Sequence, residues 1–586
     1  MTARTPTPSR LANLGARLVA GAFADFRQRD RVLTLRARYA FERRDWAAHR
    51  ADAAARLALY RGVVDHTERR LRDVLADHLA DRLVWVSMKA VFSGLIDERH
   101  DWDVAETFFN SITRRIFDTV GVDPYIEFVD TDFDQPPTVA DGAPWLRHDW
   151  TPGTRRLCEG LLADRLESVV WEDRARDARL VAERIDTRLR ALGPHADPVA
   201  AEVLVPVFYR GKGAYLVGRL ILGRTTLPLV LALRNGPAGV FVDAVLLDID
   251  DVSKLFSFTR SYFLVDTARP HDLVDFLQSL MPRKPRGELY ISIGEPKQGK
   301  TELFRGLRRH LEGTAEPFVA SAGTPGLVMV VFDLPGHDIV LKVIRDQFPP
   351  QKAVSPTLVR ERYAWVYAHD RAGRLVDAQP FEHLELPADR FDPALLAELL
   401  QQCGRTVHRV QGRLGDRVVV DLAYVQRKVT PLNLYIRQAA PEQALAAVVE
   451  YGDAIRDLAL CDIFPGDLLA KNFGVPRHGR VAFYDYDELV PLSSCHIRDL
   501  PAAAQGDDSE ALSAGFSVGP DDVFPEEFPR FLGLPRPLRE GLLQAHAELF
   551  HPAWWRQVQT RLRAGEIAEI PAYDPRRRLH GERALG

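Results

Sequence analysis

Three polar residues between positions 463 and 489 stand at intervals that suit chemistry on a phosphate. Asp467 is followed five residues later by Asn472, and Asp485 comes thirteen residues after that. The run RVAFY (480–484) just ahead of Asp485 reads as a short strand, so one acid and the amide fall in a loop and the second acid at a strand end. Phosphoryl transfer asks for such a set. One carboxylate orients the accepting hydroxyl, while an amide oxygen and a second carboxylate hold Mg²⁺ on the phosphates. A further acid, Asp487, lies two residues beyond Asp485. Asp and Asn are also ordinary turn formers, and Gly466 and Gly474 mark turns beside them. The chemistry therefore needs partners elsewhere in the chain.

Such partners precede it. Ser321, Ala322, Gly323, Thr324, Pro325, Gly326 and Leu327 lead into a strand, VMVVFD (328–333). A turn at Pro335-Gly336 follows, and then a second strand, IVLKVI (339–344), which carries Lys342. Glycines at a hairpin are usually only a hairpin. A lysine inside an apolar strand says more, because a buried ammonium needs an anion to face. Strand, glycine loop, strand, turn and strand with lysine is the order of a protein-kinase N-lobe, where the loop covers the phosphates and the lysine grips them. Residues 356–369 read as a helix whose Glu361 is a candidate partner for Lys342. Leu375-Val376-Asp377 ends an expected strand, and residues 417–424 form another that leads to Val425, Gln426 and Arg427, where a hinge peptide would meet adenine. An amphipathic helix over 441–460 delivers the chain to Asp467. In this frame Asp467 and Asn472 have the interval of a kinase catalytic loop, and Asp485 stands where the metal-binding Asp of DFG would.

A competing motif lies upstream. Residues 294–301, GEPKQGKT, fit the phosphate-loop pattern, with Lys300 and Thr301 at its end. A strand-like LYISI precedes it and a helix-like TELFRGLRRHL follows, while VMVVFD resembles a Walker-B strand. No repeated βαβ pattern follows, as a parallel sheet requires. A P-loop ATPase is therefore one alternative reading, and an inactive kinase-like scaffold is another.

The elements that must position these residues fill a chain of 586 residues, too long for one core, which predicts roughly two to four domains. A net charge of −4 gives no basic field for nucleic acid. Cys158, Cys403, Cys461 and Cys495 show no CxxC spacing, which points to a reducing compartment and no structural zinc. No signal peptide is read at the N-terminus, and the apolar stretch 227–247 is broken by Arg234 and Asp243, so no membrane span is expected and a cytoplasmic protein is the default. Residues 24–120 read as helical, with Leu57, Tyr60, Val64, Leu71, Val74 and His78 on one side, and 157–192 continues the pattern. From Val203 short β-rich runs between glycine and proline turns predict an antiparallel sheet. Residues 261–280 read as a helix and 282–287 (PRKPRG) as a linker. Residues 538–563 read as one final helix with Trp554 and Trp555 covering the core, and Arg576 to Arg578 as a solvated tail.

On these stretches the chain resembles the isocitrate dehydrogenase kinase/phosphatase family. VMVVFDLPGHDIVLKVIRD, DIFPGDLLAKNFGVPRHGRVAFYDYDEL, DVFPEEFPRFL and the TRSYF at Thr259 carry the resemblance, which runs over nearly the whole chain. It implies an α+β fold: a mostly helical N-terminal regulatory domain with a small antiparallel sheet (1–312), followed by a bilobal protein-kinase-like domain (313–586; N-lobe about 313–428, C-lobe about 429–586). It implies one site, using ATP/ADP with Mg²⁺ or Mn²⁺, for kinase, phosphatase and ATPase activities on a serine of isocitrate dehydrogenase, switching carbon between the tricarboxylic acid cycle and the glyoxylate bypass. AMP as an allosteric effector and a homodimer are implied as well. By position, residues 321–327 are then the nucleotide loop, Lys342 the ATP lysine and Asp377 an active-site acid. Asp467 is the catalytic acid, and Asn472 and Asp485 hold the metal. Departures from ordinary kinases are visible. Pro465-Gly466 replaces His-Arg, Asp485-Tyr486-Asp487 replaces DFG, and no APE segment follows. Without that Arg, control through a phosphorylated activation loop lacks a partner, so control is expected from the helical domain. Asp487 stands where kinases have glycine and is expected to align water for dephosphorylation. Residues 491–537 lack periodicity and are expected to contact the dehydrogenase.

Overall fold

Apolar residues every third or fourth position, between runs of Arg, Asp and Ala, wind the N-terminal part into helices. In the computed structural model these are α1 (Pro8–Arg43), α2 (Trp46–Leu75), α3 (Arg82–Ile96) and α4 (Trp102–Phe117). All residues are described except 1–6, 130–141, 151–152, 166–168, 194–196, 224, 258–261, 351, 353, 413–414, 501–517, 520, 567 and 581–586. Two compact units result: Met1–Glu312 together with Pro571–Gly586, and Gly313–Ile570. Among the described residues no helix is long and apolar enough to cross a membrane.

In the first unit Phe23, Phe26, Tyr60 and Phe108 interlock between α1, α2 and α4. Of the expected stripe, Val64 and Leu71 are buried, whereas Leu57 faces solvent. β1 (Trp145–Asp149), α5 (Thr154–Arg165), α6 (Arg174–Leu192), β2 (Ala200–Leu204), β3 (Phe208–Arg210), β4 (Gly213–Leu222), β5 (Thr225–Gly236) and β6 (Gly239–Leu246) follow. The strands form an antiparallel sheet in the order β1-β2-β4-β5-β6, with β3 beside β4. α7 (Ile249–Leu255), α8 (Pro270–Leu280), α9 (Arg286–Ser292) and α10 (Pro296–Gly313) complete the unit.

Several sequence expectations change here. The helix expected over 261–280 begins only at Pro270, and Leu264 bridges Tyr209 in extended form instead. The stretch 282–287 is no linker: Lys284 is buried with its Nζ 2.9 Å from Ser257 Oγ. LYISI is helix α9, not a strand, because a short apolar run does not itself tell strand from buried helix. The phosphate-loop motif consequently forms no loop. Gly299 lies inside α10 and its N–H donates to Glu295 O at 2.9 Å, so that amide is spent within the chain. A Cβ on Gly299 would collide with Ile291 and with the Gly287 carbonyl, so the glycine serves close approach of α9 and α10. The final segment also departs from expectation, since Pro571–Gly586 joins the first unit. Tyr573 donates to Asp243 Oδ2 at 2.6 Å, and Arg577 pairs with Asp248 and Asp251. Of Arg576 to Arg578 only Arg576 is the exposed tail residue that was expected.

The second unit opens with β7 (Val319–Ala320), β8 (Met329–Asp333), β9 (Ile339–Ile344), α11 (Pro356–His369), β10 (Ala378–Pro387), α12 (Pro393–Gln402), β11 (Val407–Gly412) and β12 (Gly415–Arg427). Its antiparallel sheet runs β10-β12-β9-β8-β7, with β11 beside β12, and forms the N-lobe. β13 (Thr430–Pro431), α13 (Leu432–Gln438), α14 (Pro441–Leu460), β14 (Phe473–Val475), β15 (Ala482–Phe483), β16 (His496–Ile497), β17 (Asp522–Val523), α15 (Phe528–Phe531), α16 (Arg536–Ala545) and α17 (Pro552–Arg563) form the C-lobe. The expected single final helix is two, since Pro552 cannot continue one and Ala547–Phe550 makes a tight turn before it. Trp555 is fully buried at the core, as expected of a covering residue.

Gly299→Ala is expected to destabilise the first unit by about 1–3 kcal/mol through overpacking, read as a lower unfolding midpoint, with ATP affinity unchanged. A loss of ATP affinity at unchanged stability would return the motif to phosphate binding.

Candidate active site

Pairing of β8 with β9 sets Val331 opposite Lys342 and faces the lysine into the cleft between the lobes of the second unit. Lys342 is only 5% exposed. Its Nζ donates to the Tyr484 carbonyl at 2.7 Å and lies 4.9 Å from the centre of the Tyr484 ring. Burial pushes this ammonium down to about 8, against the pull of Asp485 and Asp487. Those two acids, met only after a further stretch of well over a hundred residues, are the anions that the sequence required for a buried lysine.

Ahead of the strand that pairs with the lysine strand, residues 321–328 connect β7 to β8 as an irregular loop, with Ala322 to Leu327 exposed. Ser321 anchors it: its N–H donates to Val331 O at 3.0 Å and its hydroxyl to Asp333. At the other end Arg345 Nε holds the Gly326 carbonyl at 3.2 Å. Gly323 takes φ 130°, a backbone that only glycine adopts without strain. The hinge lies later than expected. Val425, Gln426 and Arg427 are still paired with β9 inside β12, so the connection between lobes is Lys428-Val429. Lys428 Nζ meets Asp333 Oδ1 at 2.6 Å.

On the other lobe, α14 delivers the chain to the loop that carries Asp467 and Asn472. Tyr451 on α14 donates its hydroxyl to the Leu468 carbonyl and pins the loop. Asp467 Oδ1 accepts the Leu469 N–H at 3.0 Å, and Asn472 Nδ2 donates to the Asp467 backbone carbonyl at 3.3 Å. Gly466 has φ 77° and passes so close to Glu488 that a Cβ would strike the Glu488 carbonyl. β14 and β15 pair Phe473 with Phe483, and Tyr484 N–H donates to Asn472 O at 3.1 Å. Asn472 therefore stands opposite the residue before Asp485. The side chains of Asp485 and Asp487 interact with each other. Burial and the neighbouring Asp487 carboxyl hold Asp485 well above the usual carboxylate range. Burial works against ionisation of Asp487 too, yet the hydrogen bond from Asp485 and the charge of Lys352 bring it below that range. Two touching carboxyls cannot both ionise at ordinary cost without added positive charge.

Lys342, Asp485 and Asp487 thus meet in one place, with Asp467 and Asn472 on the loop beside them. Asp377 sits at the start of β10, its Oδ2 accepting from Gln379 Nε2 at 2.6 Å. It reaches the site through its neighbour Val376, whose N–H donates to Phe483 O at 2.9 Å and whose carbonyl accepts the Tyr486 hydroxyl. Glu361 does not do what the sequence suggested: it is exposed on α11, and Tyr363 is the residue that faces inward, stacked near Tyr424 and Tyr486. Sequence reasoning missed Lys352, 3.2 Å from Asp487 Oδ2, and Arg362, which donates to the Asp487 carbonyl. The only sequence signal was scarcity. In a chain that prefers arginine, the lysines of this unit are Lys342, Lys352, Lys428 and Lys471, all on elements that frame the cleft. The region 491–537 is described in part, and the segment 501–517 lies outside the described residues.

A divalent cation fits this donor set. No group of three or more His, Cys, Asp or Glu side chains gathers as a metal site among the described residues. Mg²⁺ held on phosphates needs only one or two protein carboxylates, the rest of its shell coming from phosphate and water. The Asp485–Asp487 contact has the excess of negative charge that such an ion relieves, and the Asn472 side chain supplies a neutral oxygen nearby.

Family models for the isocitrate dehydrogenase kinase/phosphatase (AceK) regulatory domain and kinase domain match residues 16–315 and 316–575. The chain belongs to the isocitrate dehydrogenase kinase/phosphatase family. It is 47% identical to the isocitrate dehydrogenase kinase/phosphatase of Anaeromyxobacter sp. (strain Fw109-5), over 98% of this chain and 99% of that one. It is 48% identical to that of Anaeromyxobacter dehalogenans (strain 2CP-C), over 97% and 98%. With that of Xanthomonas euvesicatoria pv. vesicatoria (strain 85-10) it shares 43% over 98% and 99%.

Lys342→Met is expected to abolish phosphotransfer while the protein stays folded but loses up to about 3–5 kcal/mol of stability, because the buried Asp485 and Asp487 are left without their cation. Chemical unfolding and a phosphotransfer assay check the two halves. Near-parental phosphotransfer would refute the assignment of Lys342.

Proposed function

We infer that this protein is a bifunctional, ATP-dependent serine kinase and phosphoserine phosphatase that acts on isocitrate dehydrogenase through one nucleotide site, and so divides carbon between the tricarboxylic acid cycle and the glyoxylate bypass. The observation that carries the site is the buried Lys342 facing Asp485 and Asp487, on the strand paired with the one that an exposed glycine loop leads into. Membership of the family supports the substrate and the pair of reactions.

In phosphorylation, residues 321–327 lie over the nucleotide phosphates and Lys342 neutralises them. Asn472 and Asp485 hold Mg²⁺ or Mn²⁺, which draws charge from the phosphates when bound. Asp467 orients the serine hydroxyl and accepts its proton as the oxygen bonds to the γ-phosphorus and ADP leaves. Positioning and charge neutralisation of this kind supply most of the acceleration in phosphoryl transfer. In dephosphorylation, water bonds to phosphorus as the bond to the serine oxygen breaks. Asp487 aligns that water, the water's proton passes to solvent, and the departing serine oxygen takes one back. Asp377 is assigned to the active site by resemblance to the family and by its backbone link to β15. AMP as an effector toward dephosphorylation, a homodimer and a cytoplasmic setting complete the reading, each supported by the resemblance alone.

Transfer of labelled phosphate from ATP to isocitrate dehydrogenase, and its release from the labelled product, test the function directly. Asp467→Ala is expected to lower phosphorylation by about 10²-fold or more, and Asp487→Ala to lower dephosphorylation far more than phosphorylation. No transfer by the parent protein would reduce it to a scaffold. Loss of ATP binding in Lys300→Ala but not in Lys342→Ala would favour the P-loop alternative.

A further inference from the structure

Asp487 is 5% exposed, and the cations that hold it come from a stretch that ordinarily serves the lysine. In a kinase the helix after the lysine strand offers that lysine a glutamate. Here α11 turns Glu361 to solvent and instead sends Arg362 to the backbone carbonyl of Asp487. Just before α11, Lys352 reaches the same turn with its side chain, Nζ 3.2 Å from Asp487 Oδ2 and 2.5 Å from Glu488 Oε1. The Lys352 side chain is 17% exposed, so solvent screens this contact only in part. One carboxylate oxygen of Asp487 is thereby committed to Lys352. Asp485 interacts with Asp487, and Lys342 with both. The choice of partner matters. Lys352 pairs with Asp487 and Glu488, not with Asp485, the acid that belongs with the metal. A clamp that merely joined α11 to the C-lobe would serve both reactions alike, whereas one that fixes the direction of the second acid serves the reaction that uses it.

We propose that Lys352 is a positioning residue for dephosphorylation, holding the Asp487 carboxylate in the direction from which it aligns the attacking water while Asp485 and Asn472 remain with the metal. The inference rests on the assignment of Asp487 to dephosphorylation. Removing the ammonium frees Asp487 to turn away from the water and shifts the ratio of the two activities toward phosphorylation. A guanidinium at the same position restores a cation within reach of both acids.

The test uses the full-length chain with isocitrate dehydrogenase and its phosphorylated form as substrates. Lys352→Met is expected to lower kcat for dephosphorylation about tenfold or more, with KM for the phosphoprotein and the rate of phosphorylation held within about threefold. Lys352→Arg recovers most of the loss, and Lys352→Met adds nothing when placed on Asp487→Ala. Equal losses of both activities in Lys352→Met, or a further drop of the same size on the Asp487→Ala background, overturn the role of Lys352. If Asp487→Ala itself lowers both reactions equally, the assignment of Asp487 falls and the inference with it. Should Lys352→Met fail to fold, Lys352→Gln, which keeps a donor without the charge, is read by the same criteria.

Discussion

Lys342 reaches from the N-lobe sheet to the carbonyl of Tyr484 in the C-lobe, and its ammonium lies almost wholly out of water. Taking such an ion into a protein costs several kcal/mol unless anions and hydrogen bonds offset it. The compensation comes from residues remote in sequence: Asp485, Asp487 and one backbone oxygen. The sheet register that aims Lys342, the short β14–β15 pairing that presents Asp485, and the glycine at 466 that lets the catalytic loop pass Glu488 all exist in the form that this contact needs. Around it Lys342, Lys352 and Arg362 face the turn that carries Asp485, Asp487 and Glu488, and burial still holds Asp485 well above the usual carboxylate range.

Around that centre the usual kinase controls have been exchanged. The glutamate that would mark an active helix faces solvent, and Tyr363, packed against Tyr424 and Tyr486, ties α11 to the sheet and to the turn between the two acids. Cations from residues 352 and 362 secure that turn from the helix side. The position of α11 is thereby linked to Asp487 rather than to Lys342.

The sequence made some of this visible and hid the rest for physical reasons. α11 starts on a proline behind the Ser355 cap and α14 on a proline with one apolar face, and both were read to within their ends. Lys342 stood out because an apolar strand around a charge is itself an anomaly. LYISI misled because β-branched and aromatic residues over five positions suit a buried helix as well as a strand, and only packing against α10 decides. The tail at Arg576 to Arg578 looked solvated because its acids, Asp243, Asp248 and Asp251, lie more than three hundred residues earlier. Glu361 fitted the kinase pattern by position, but helical phase turned its neighbour Tyr363 inward. Lys352 carried no local signal at all, since its partners come from another lobe.

The claim on which the account stands is that Lys342, Asp467, Asn472 and Asp485 surround one metal-bound nucleotide. The most direct measurement is a crystal structure with ADP and Mn²⁺, the ion located by its anomalous scattering. The account predicts a single strong peak bonded to Asp485 and Asn472 oxygens, with the diphosphate beside Lys342 beneath residues 321–327. A peak and nucleotide at Lys300 and Thr301, or a metal away from Asp485, would contradict it.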